Sequence, residues 1–288
     1  MGVTAEALDD LRVDRSAELS AASFARFARF ITSELGIKMP ESKVTMVQSR
    51  LLRRVRELGL KSVDQYAEYF FDASGSEERE HLINAITTNK TDFFREPVHF
   101  DFLKDTVLPA LTREGRPRVH AWSAGCSSGE EPYTLAMVLA EYGGRQTGFD
   151  FAILATDVST RVLNIARTGI YQETQILPVL PELRRKYLLR GQNREERAYR
   201  VVPQLRGKIS FHQLNFMDRD YPVKDMFDFV FFRNVLIYFD RPTQEAVIKK
   251  ICRNLVPGGY LFAGHSESLS AMDVPLKVVR TSIYRKCS

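Results

Sequence analysis

A chain of 288 residues, 44% hydrophobic and 27% charged, has the size and composition of one large globular domain or two smaller ones. No apolar run approaches the roughly 20 residues that span a bilayer, and the acidic start MGVTAEALDDLRVDRSAELS lacks an apolar signal core, so a cytoplasmic protein is expected. A net charge of +5 points to an acidic partner without choosing among nucleic acid, anionic membrane and acidic protein, and Cys126, Cys252 and Cys287 have neither metal-ligand nor redox spacing.

Residues 1–20 read as a polar lead, and residues 21–88 as an all-helical unit. SFARFARFITSEL repeats aromatics at Phe24, Phe27 and Phe30. SKVTMVQSRLLRRVRELGL starts at a candidate N-cap, Ser42, and SVDQYAEYFFD and SEEREHLINAITTN complete the set. In the second run Val44, Val47, Leu51, Val55 and Leu58 make an apolar stripe, while Lys43, Arg50, Arg53, Arg54 and Arg56 meet a single acid, Glu57. At about 100° per residue, Lys43, Arg50, Arg53 and Arg54 share a band beside that stripe. Such a helix either meets an acidic surface or presents a solvated face.

Residues 89–105 read as a linker, and the character changes near Pro117. RVHAWSAG, FDFAILATD, KISFHQLNF, MFDFVFFRNV and GGYLFAGHS are short β-rich runs, several separated by helical stretches such as EEPYTLAMVLAEY and TQEAVIKKICRNLVPGG. This alternation predicts an α/β domain over 106–288, a mostly parallel sheet covered by helices. LKVVRTSIYRKC closes it as a strand or hairpin. The charged stretch around 185–208 fits neither pattern and predicts a small appended β-subdomain.

Ligands in such sheets bind where the first strand turns into its helix. There AWSAGCSSGEEPY places Gly125 and Gly129, which would let the backbone approach a ligand. The spacing is neither that of a dinucleotide loop nor that of a P-loop. Glu130 and Glu131 stand where a pyrophosphate would sit; they repel phosphate, or they simply complement the helix dipole. Asp157 ends the second strand where ribose hydroxyls are accepted. A ligand with a free ribose diol, no phosphate and a positive centre satisfies both features, and S-adenosylmethionine is such a ligand. Asn215 and Phe216 suit an adenine edge and ring, or cap a loop. Arg233 and Asn234 end an apolar strand, where polar groups must be paired or line a cleft. Tyr238 lies one turn beyond. Cys126 reads as a small filler of the turn, because no His or Lys nearby in sequence would activate it.

NAITTNKTDFFRE, AWSAGCSSGEEPY, ATDVS, FRNVLIYFD and GGYLFAGHSES, in this order and spacing, resemble the chemotaxis receptor methyltransferases of the CheR type, from about Phe24 to the C-terminus. The resemblance implies a Rossmann-like class I methyltransferase domain with a small antiparallel β-subdomain insertion and an all-helical N-terminal domain. It implies a bacterial cytoplasmic enzyme that moves a methyl group from S-adenosylmethionine to glutamate carboxylates of chemoreceptor bundles. The products are glutamate methyl esters and S-adenosylhomocysteine, made in chemosensory adaptation without a metal. By the same resemblance Asn89, Thr91 and Arg95 line the cofactor pocket, and Glu131 and Asp157 hold the methionine and ribose portions. Asn215, Phe216, Arg233 and Asn234 are further cofactor contacts, and Arg95 and Tyr238 lie close to the methyl donor. The helix carrying Lys43, Arg50, Arg53, Arg54 and Arg56 reads the receptor. His265 matches the family, with a loop hydrogen bond as its expected role.

Family members that tether to a receptor's C-terminal peptide carry a glycine-rich turn in the small sheet. Here RGQNREERAYRV has Gly191 alone beside Arg190, Arg194, Arg197 and Arg200. The expectation is therefore an enzyme independent of the receptor tail. Separately, a monomer with no nucleic-acid partner and no membrane insertion is expected. No base–nucleophile pair is recognisable and none is needed, because a glutamate with a pKa near 4.3 is already ionised at neutral pH. Two other readings stand beside this one: a methyltransferase of nucleic acid or small molecules, and a non-catalytic module that binds the cofactor.

Overall fold

The computed structural model describes residues 19–72, 76–192, 197–223 and 226–287. Most of the polar lead, and Arg194, lie outside them. The chain divides into two units, Met1–Thr87 and Thr88–Ser288.

In the first unit Ser20 caps helix α1 (Ala21–Leu35), its hydroxyl accepting from the Ser23 amide at 3.2 Å. Phe24, Phe27, Ile31 and Leu35 turn inward at helical spacing, and Phe30 is half-buried, edge-on to Phe70. Helix α2 (Val44–Glu57) follows a 3-10 turn, Glu41–Lys43, that starts after Pro40. Ser42 therefore lies inside that turn and does not cap α2. Of the expected stripe, Val47, Leu51 and Val55 are buried and Val44 and Leu58 half-buried. Helices α3 (Val63–Asp72) and α4 (Ser76–Ile86) complete the unit.

The basic residues of α2 serve different ends. Arg54 sends Nε and Nη2 to the carboxylate of Glu78 at 3.0 and 2.8 Å, and the Tyr66 hydroxyl donates to it at 2.7 Å. Burial opposes ionisation of Glu78, but these bonds outweigh it and hold the carboxyl below its usual range. Arg54 is thus an anchor of the helical unit, not a member of a free basic band. Lys43 donates to the Lys38 carbonyl, Arg50 to that of Ile86, and Arg53 pairs with Glu57. Arg53 and Arg56 are exposed.

The second unit opens with helix α5 (Pro97–Phe102), which continues through a π-helical stretch, Leu103–Val107, into α6 (Leu108–Arg113). Phe93, Phe100 and Leu103 belong to this unit's core, so the segment read as a linker packs as part of it. Next come β1 (Arg118–Ala124), α7 (Glu130–Gly143), β2 (Asp150–Asp157), α8 (Thr160–Thr168), β3 (Ile170–Gln172), α9 (Pro181–Tyr187), β4 (Leu188–Arg190) and β5 (Ala198–Val201). The chain ends with α10 (Pro203–Arg206), β6 (Ile209–Gln213), β7 (Phe227–Phe232), α11 (Arg241–Arg253), β8 (Leu255–Ala263), β9 (Leu276–Arg280) and β10 (Ile283–Lys286).

Among the described residues, seven strands form one sheet in the order β6-β2-β1-β7-β8-β10-β9. The first five are parallel, and the β9–β10 hairpin closes one side antiparallel. Winding outward from β1 first one way and then the other puts the switch point at β1, so the strand ends there form a crevice. β7 is buried at every position, as a central parallel strand requires, and Phe231 stacks on Phe262 of β8 at 4.3 Å. The helical reading of TQEAVIKKICRNLVPGG runs too far. α11 stops at Arg253, before Pro257, and residues 255–259 open β8 with an irregular register against β7.

A separate antiparallel sheet has the order β3-β5-β4. Its first strand, Ile170–Gln172, precedes the 185–208 stretch in which the subdomain was expected. Three residues leave no alternation to read. No helix among the described residues is long and apolar enough to cross a membrane.

Candidate active site

Five parallel strands end on one edge of the sheet, and the candidate residues sit on the turns that follow. After β1, the Gly125 and Cys126 amides both donate to the Thr156 carbonyl at 2.8 Å, tying the glycine turn to β2. Gly125 has φ 81° and Gly129 φ 98°, a region that favours glycine. A Cβ on Gly125 would fall 2.6 Å from the Val235 side chain, and one on Gly129 would fall 2.8 Å from Ala166 and from the Tyr171 hydroxyl. The space a side chain would need at these glycines is thus already taken by protein atoms, which by itself demands glycine at both positions. Burial pushes the Cys126 thiol well above its ordinary range, in keeping with a filler and not a nucleophile.

The two glutamates that open α7 have different roles. Glu130 accepts from the Ser128 hydroxyl at 2.7 Å and from Gln175 Nε2 at 3.2 Å, and the Tyr171 hydroxyl donates to the Ser128 carbonyl. It secures the turn against the segment after β3, and burial raises its pKa. Glu131 accepts from the Ser123 hydroxyl and from Arg233 Nε, each at 2.7 Å. The pair is therefore not a doubled negative charge: one carboxyl faces away and the other is neutralised by a buried guanidinium.

Arg233 joins the remaining turns. Its Nη1 donates to the Arg95 carbonyl at 2.6 Å and lies 3.5 Å from Glu96 Oε2, while its guanidinium covers the Phe100 and Phe231 rings at 5.3 Å each. Phe94 and Glu96, either side of Arg95, take φ 54° and 56°, so the FFRE segment is held in a sparsely populated conformation. The Phe94 amide donates to Thr134 at 3.1 Å. The Arg95 side chain is half-buried, and its Nη1 donates to the Lys90 carbonyl at 3.1 Å. Among the described residues no carboxylate lies within ion-pairing distance of it.

Asp157, 8% exposed, accepts from the Ser127 amide at 2.9 Å and the Ser159 amide at 3.0 Å. Burial raises its pKa against the pull of these amides. The Ser127 hydroxyl donates to the Asn89 carbonyl at 2.9 Å, bringing Asn89 to the same turn. Thr91 lies half-buried on the stretch that follows. Asn215 accepts from the Met217 amide at 3.0 Å, the loop-capping role, and Phe216 is buried edge-on to Phe232 at 4.9 Å. Asn234 has φ 60°, and Tyr238 is half-buried at the end of the 3-10 turn Leu236–Tyr238. Hydrogen bonds thus join Asn89 with Asp157 through Ser127, and Glu131 with Arg233 and the Arg95 backbone; Asn215, Phe216, Asn234 and Tyr238 stand on neighbouring turns.

Three polar residues here were not anticipated from sequence. Glu96 accepts from Asn234 Nδ2 at 3.4 Å and the His265 amide at 3.3 Å, which gives His265 its loop bond. Glu267 is buried among backbone amides of the turns after β7 and β8. His99 is fully buried, with Nδ1 3.3 Å from Arg233 Nη1. Glu96 and Glu267 stood inside the family motifs, but nothing in the sequence pointed to Asn234 and the turn amides as their partners. His99 carried no signal.

His99 Nδ1 thus lies between a donor and an acceptor, 3.3 Å from Arg233 Nη1 and 3.4 Å from Glu96 Oε2, and its buried Nε2 has no partner among the described residues. Burial, then the Arg233 charge, hold its pKa at about 4 against an ordinary 6.5. Between these values the unfolded chain binds more protons, so this stability is complete above pH 6.5 and is lost as pH falls toward 4. At about 1.4 kcal/mol per pH unit, roughly 3 kcal/mol is at stake. Urea titrations at pH 7 and pH 4 are expected to show a smaller loss in His99→Gln than in the unsubstituted protein by about that amount. Glu96, His99 and His265 also gather three metal-ligating atoms within 4.8 Å, but any cation there would share the space with Arg233.

A switch-point crevice with an acid ending β2, a glycine turn after β1 and no phosphate-binding loop defines a class I methyltransferase domain. Residues 89–285 match the model described as "CheR methyltransferase, SAM binding domain", and residues 22–87 that described as "CheR methyltransferase, all-alpha domain". A chemotaxis protein methyltransferase of Escherichia coli (strain K12) is 39% identical over 263 residues, covering 91% of this chain and 90% of that protein. One from Borreliella burgdorferi is 38% identical over 267 residues, covering 91% and 93%. A probable chemotaxis protein methyltransferase of Rhizobium etli is 38% identical over 242 residues, covering 83% and 90%. The chain belongs to the CheR methyltransferase family. It is an S-adenosylmethionine-dependent methyltransferase.

Proposed function

We propose that this protein methylates glutamate side chains on the cytoplasmic helical bundles of bacterial chemoreceptors. The observation that carries this reading is the group of fixed carboxylates at the strand ends beside an arginine without an acidic partner. Asp157 is oriented by two amides and keeps acceptor capacity for a ribose diol. Glu131 is oriented by Ser123 and Arg233 and keeps one acceptor site on each oxygen for an ammonium group. A zwitterionic amino-acid moiety fits a carboxylate–guanidinium pair better than a pyrophosphate would. Asn89, Thr91, Asn215, Phe216 and Asn234 are assigned the remaining cofactor contacts.

Bound S-adenosylmethionine supplies a methyl carbon on a cationic sulfur, and an ionised glutamate oxygen is the acceptor. Neutral pH ionises that glutamate without a protein base. Arg95, free of carboxylate partners, orients the incoming carboxylate, and Tyr238 positions the reactants. The chain's task is alignment, which removes roughly 7–11 kcal/mol of barrier when geometry is good.

The exposed Arg53 and Arg56 of α2, with Lys43 and Arg50, are assigned to the acidic receptor bundle, where charge chiefly raises the association rate. Arg54 is left out because Glu78 occupies it. The enzyme acts as a cytoplasmic monomer without a receptor-tail tether, a reading that micromolar calorimetric binding of a receptor C-terminal peptide would overturn.

The deciding test is incubation with methyl-labelled S-adenosylmethionine and a receptor-containing membrane fraction. Base-labile label on a receptor-sized protein is the expected result. Label on nucleic acid, or cofactor binding with no transfer, would refute it.

A further inference from the structure

The turn after β8 carries a carboxylate that none of the assignments above uses. Glu267 is 5% exposed. Its Oε2 accepts from the Gly264 amide at 2.6 Å and the Asn234 amide at 2.8 Å, and its Oε1 accepts from the Ile237 amide at 3.3 Å. The Leu236 amide faces it as well. Among the described residues no cationic side chain lies within ion-pairing distance of it. A buried carboxylate without a counter-ion is costly unless several donors satisfy it, and here the donors are all main-chain.

Those amides belong to the two segments that matter most for the candidate chemistry. Asn234 has φ 60°, a conformation uncommon for a residue with a side chain. The Leu236–Tyr238 turn, which carries Tyr238, begins two residues later. On the other side, a Cβ at Gly264 would fall 2.5 Å from Asn234 Nδ2 and 2.8 Å from Glu267 Oε2, so the two turns are in close contact. Four main-chain donors aimed at one carboxylate leave Asn234 and the following turn little freedom.

We infer that Glu267 is a positioning residue for methyl transfer, holding the backbone of Asn234 and of the turn that delivers Tyr238. This rests on the methyltransferase reading. A glutamine there keeps one oxygen but turns an N–H toward main-chain donors, so one of the two segments loses its anchor.

The test uses the full chain, with S-adenosylhomocysteine as the calorimetric probe, receptor methylation for kcat and KM, and thermal melting for the fold. Glu267→Gln is expected to melt cooperatively, to weaken S-adenosylhomocysteine binding at least tenfold and to lower kcat at least tenfold. In an Asn234→Ala background the same substitution is expected to weaken probe binding by no more than twofold, because the contact it supports is already gone. Should Glu267→Gln not fold, Glu267→Asp, which keeps the charge on a shorter arm, is read by the same criteria. A folded variant that binds the probe and turns over within twofold of the unsubstituted protein overturns the inference. If the unsubstituted protein itself fails to bind S-adenosylhomocysteine, the methyltransferase reading falls first and takes this inference with it.

Discussion

Arg95→Ala lowers kcat for receptor methylation by about 10²–10³ and leaves the melting temperature almost unchanged. The magnitude is that of removing one well-placed donor from a developing charge in a dry site. The small effect on stability follows from the contacts: the Arg95 side chain donates to one carbonyl, that of Lys90, while Arg233 clamps its main chain whatever the side chain. Arg95→Lys keeps the charge but not the planar fork, and falls between alanine and the unsubstituted enzyme. Steady-state kinetics beside thermal melts decide the matter. Parallel loss of turnover and melting temperature would make Arg95 structural.

Arg233→Met has the opposite profile, destabilising the fold as well as the site. It leaves Glu131 as a buried charge with only the Ser123 hydroxyl and removes the donor from the Arg95 carbonyl. Breaking such a pair from one side costs roughly 3–5 kcal/mol. At about 2–4 °C per kcal/mol for a domain of this size, the melting temperature drops on the order of 10 °C. The double variant with Glu131→Gln recovers a good part of that loss, since no charge is then stranded. It does not recover S-adenosylhomocysteine binding. A double variant as unstable as Arg233→Met would mean that Arg233 stabilises through Phe100 and Phe231 and not through Glu131.

The helical first unit was legible because Phe24, Phe27 and Ile31 repeat at helical spacing. The sheet was legible because its central strands, buried on both faces, read as near-continuous apolar runs such as FDFVFF, which only Asp228 interrupts. The strand β3 was not, because three residues carry no period. Asp157 could be placed from its position at a strand end. The difference between Glu130 and Glu131 could not, because neighbours in sequence turn to different surroundings at a helix start. Gly125 and Gly129 were marked as special for a ligand's approach, and the fold adds a second reason that no sequence pattern carries: a side chain there would meet Val235, Ala166 or Tyr171.

The sequence by itself determined the two units, the α/β class, the family and the residues at the ends of the strands. These depend on periodicity and on motifs a few residues long, which the linear chain carries directly. Only the tertiary structure decided which charges are already spent: Arg54 on Glu78, Glu131 on Arg233, and Glu267 on the amides of two turns. Those pairings join residues as many as 102 positions apart, and a side chain's availability for chemistry depends on what the fold brings beside it.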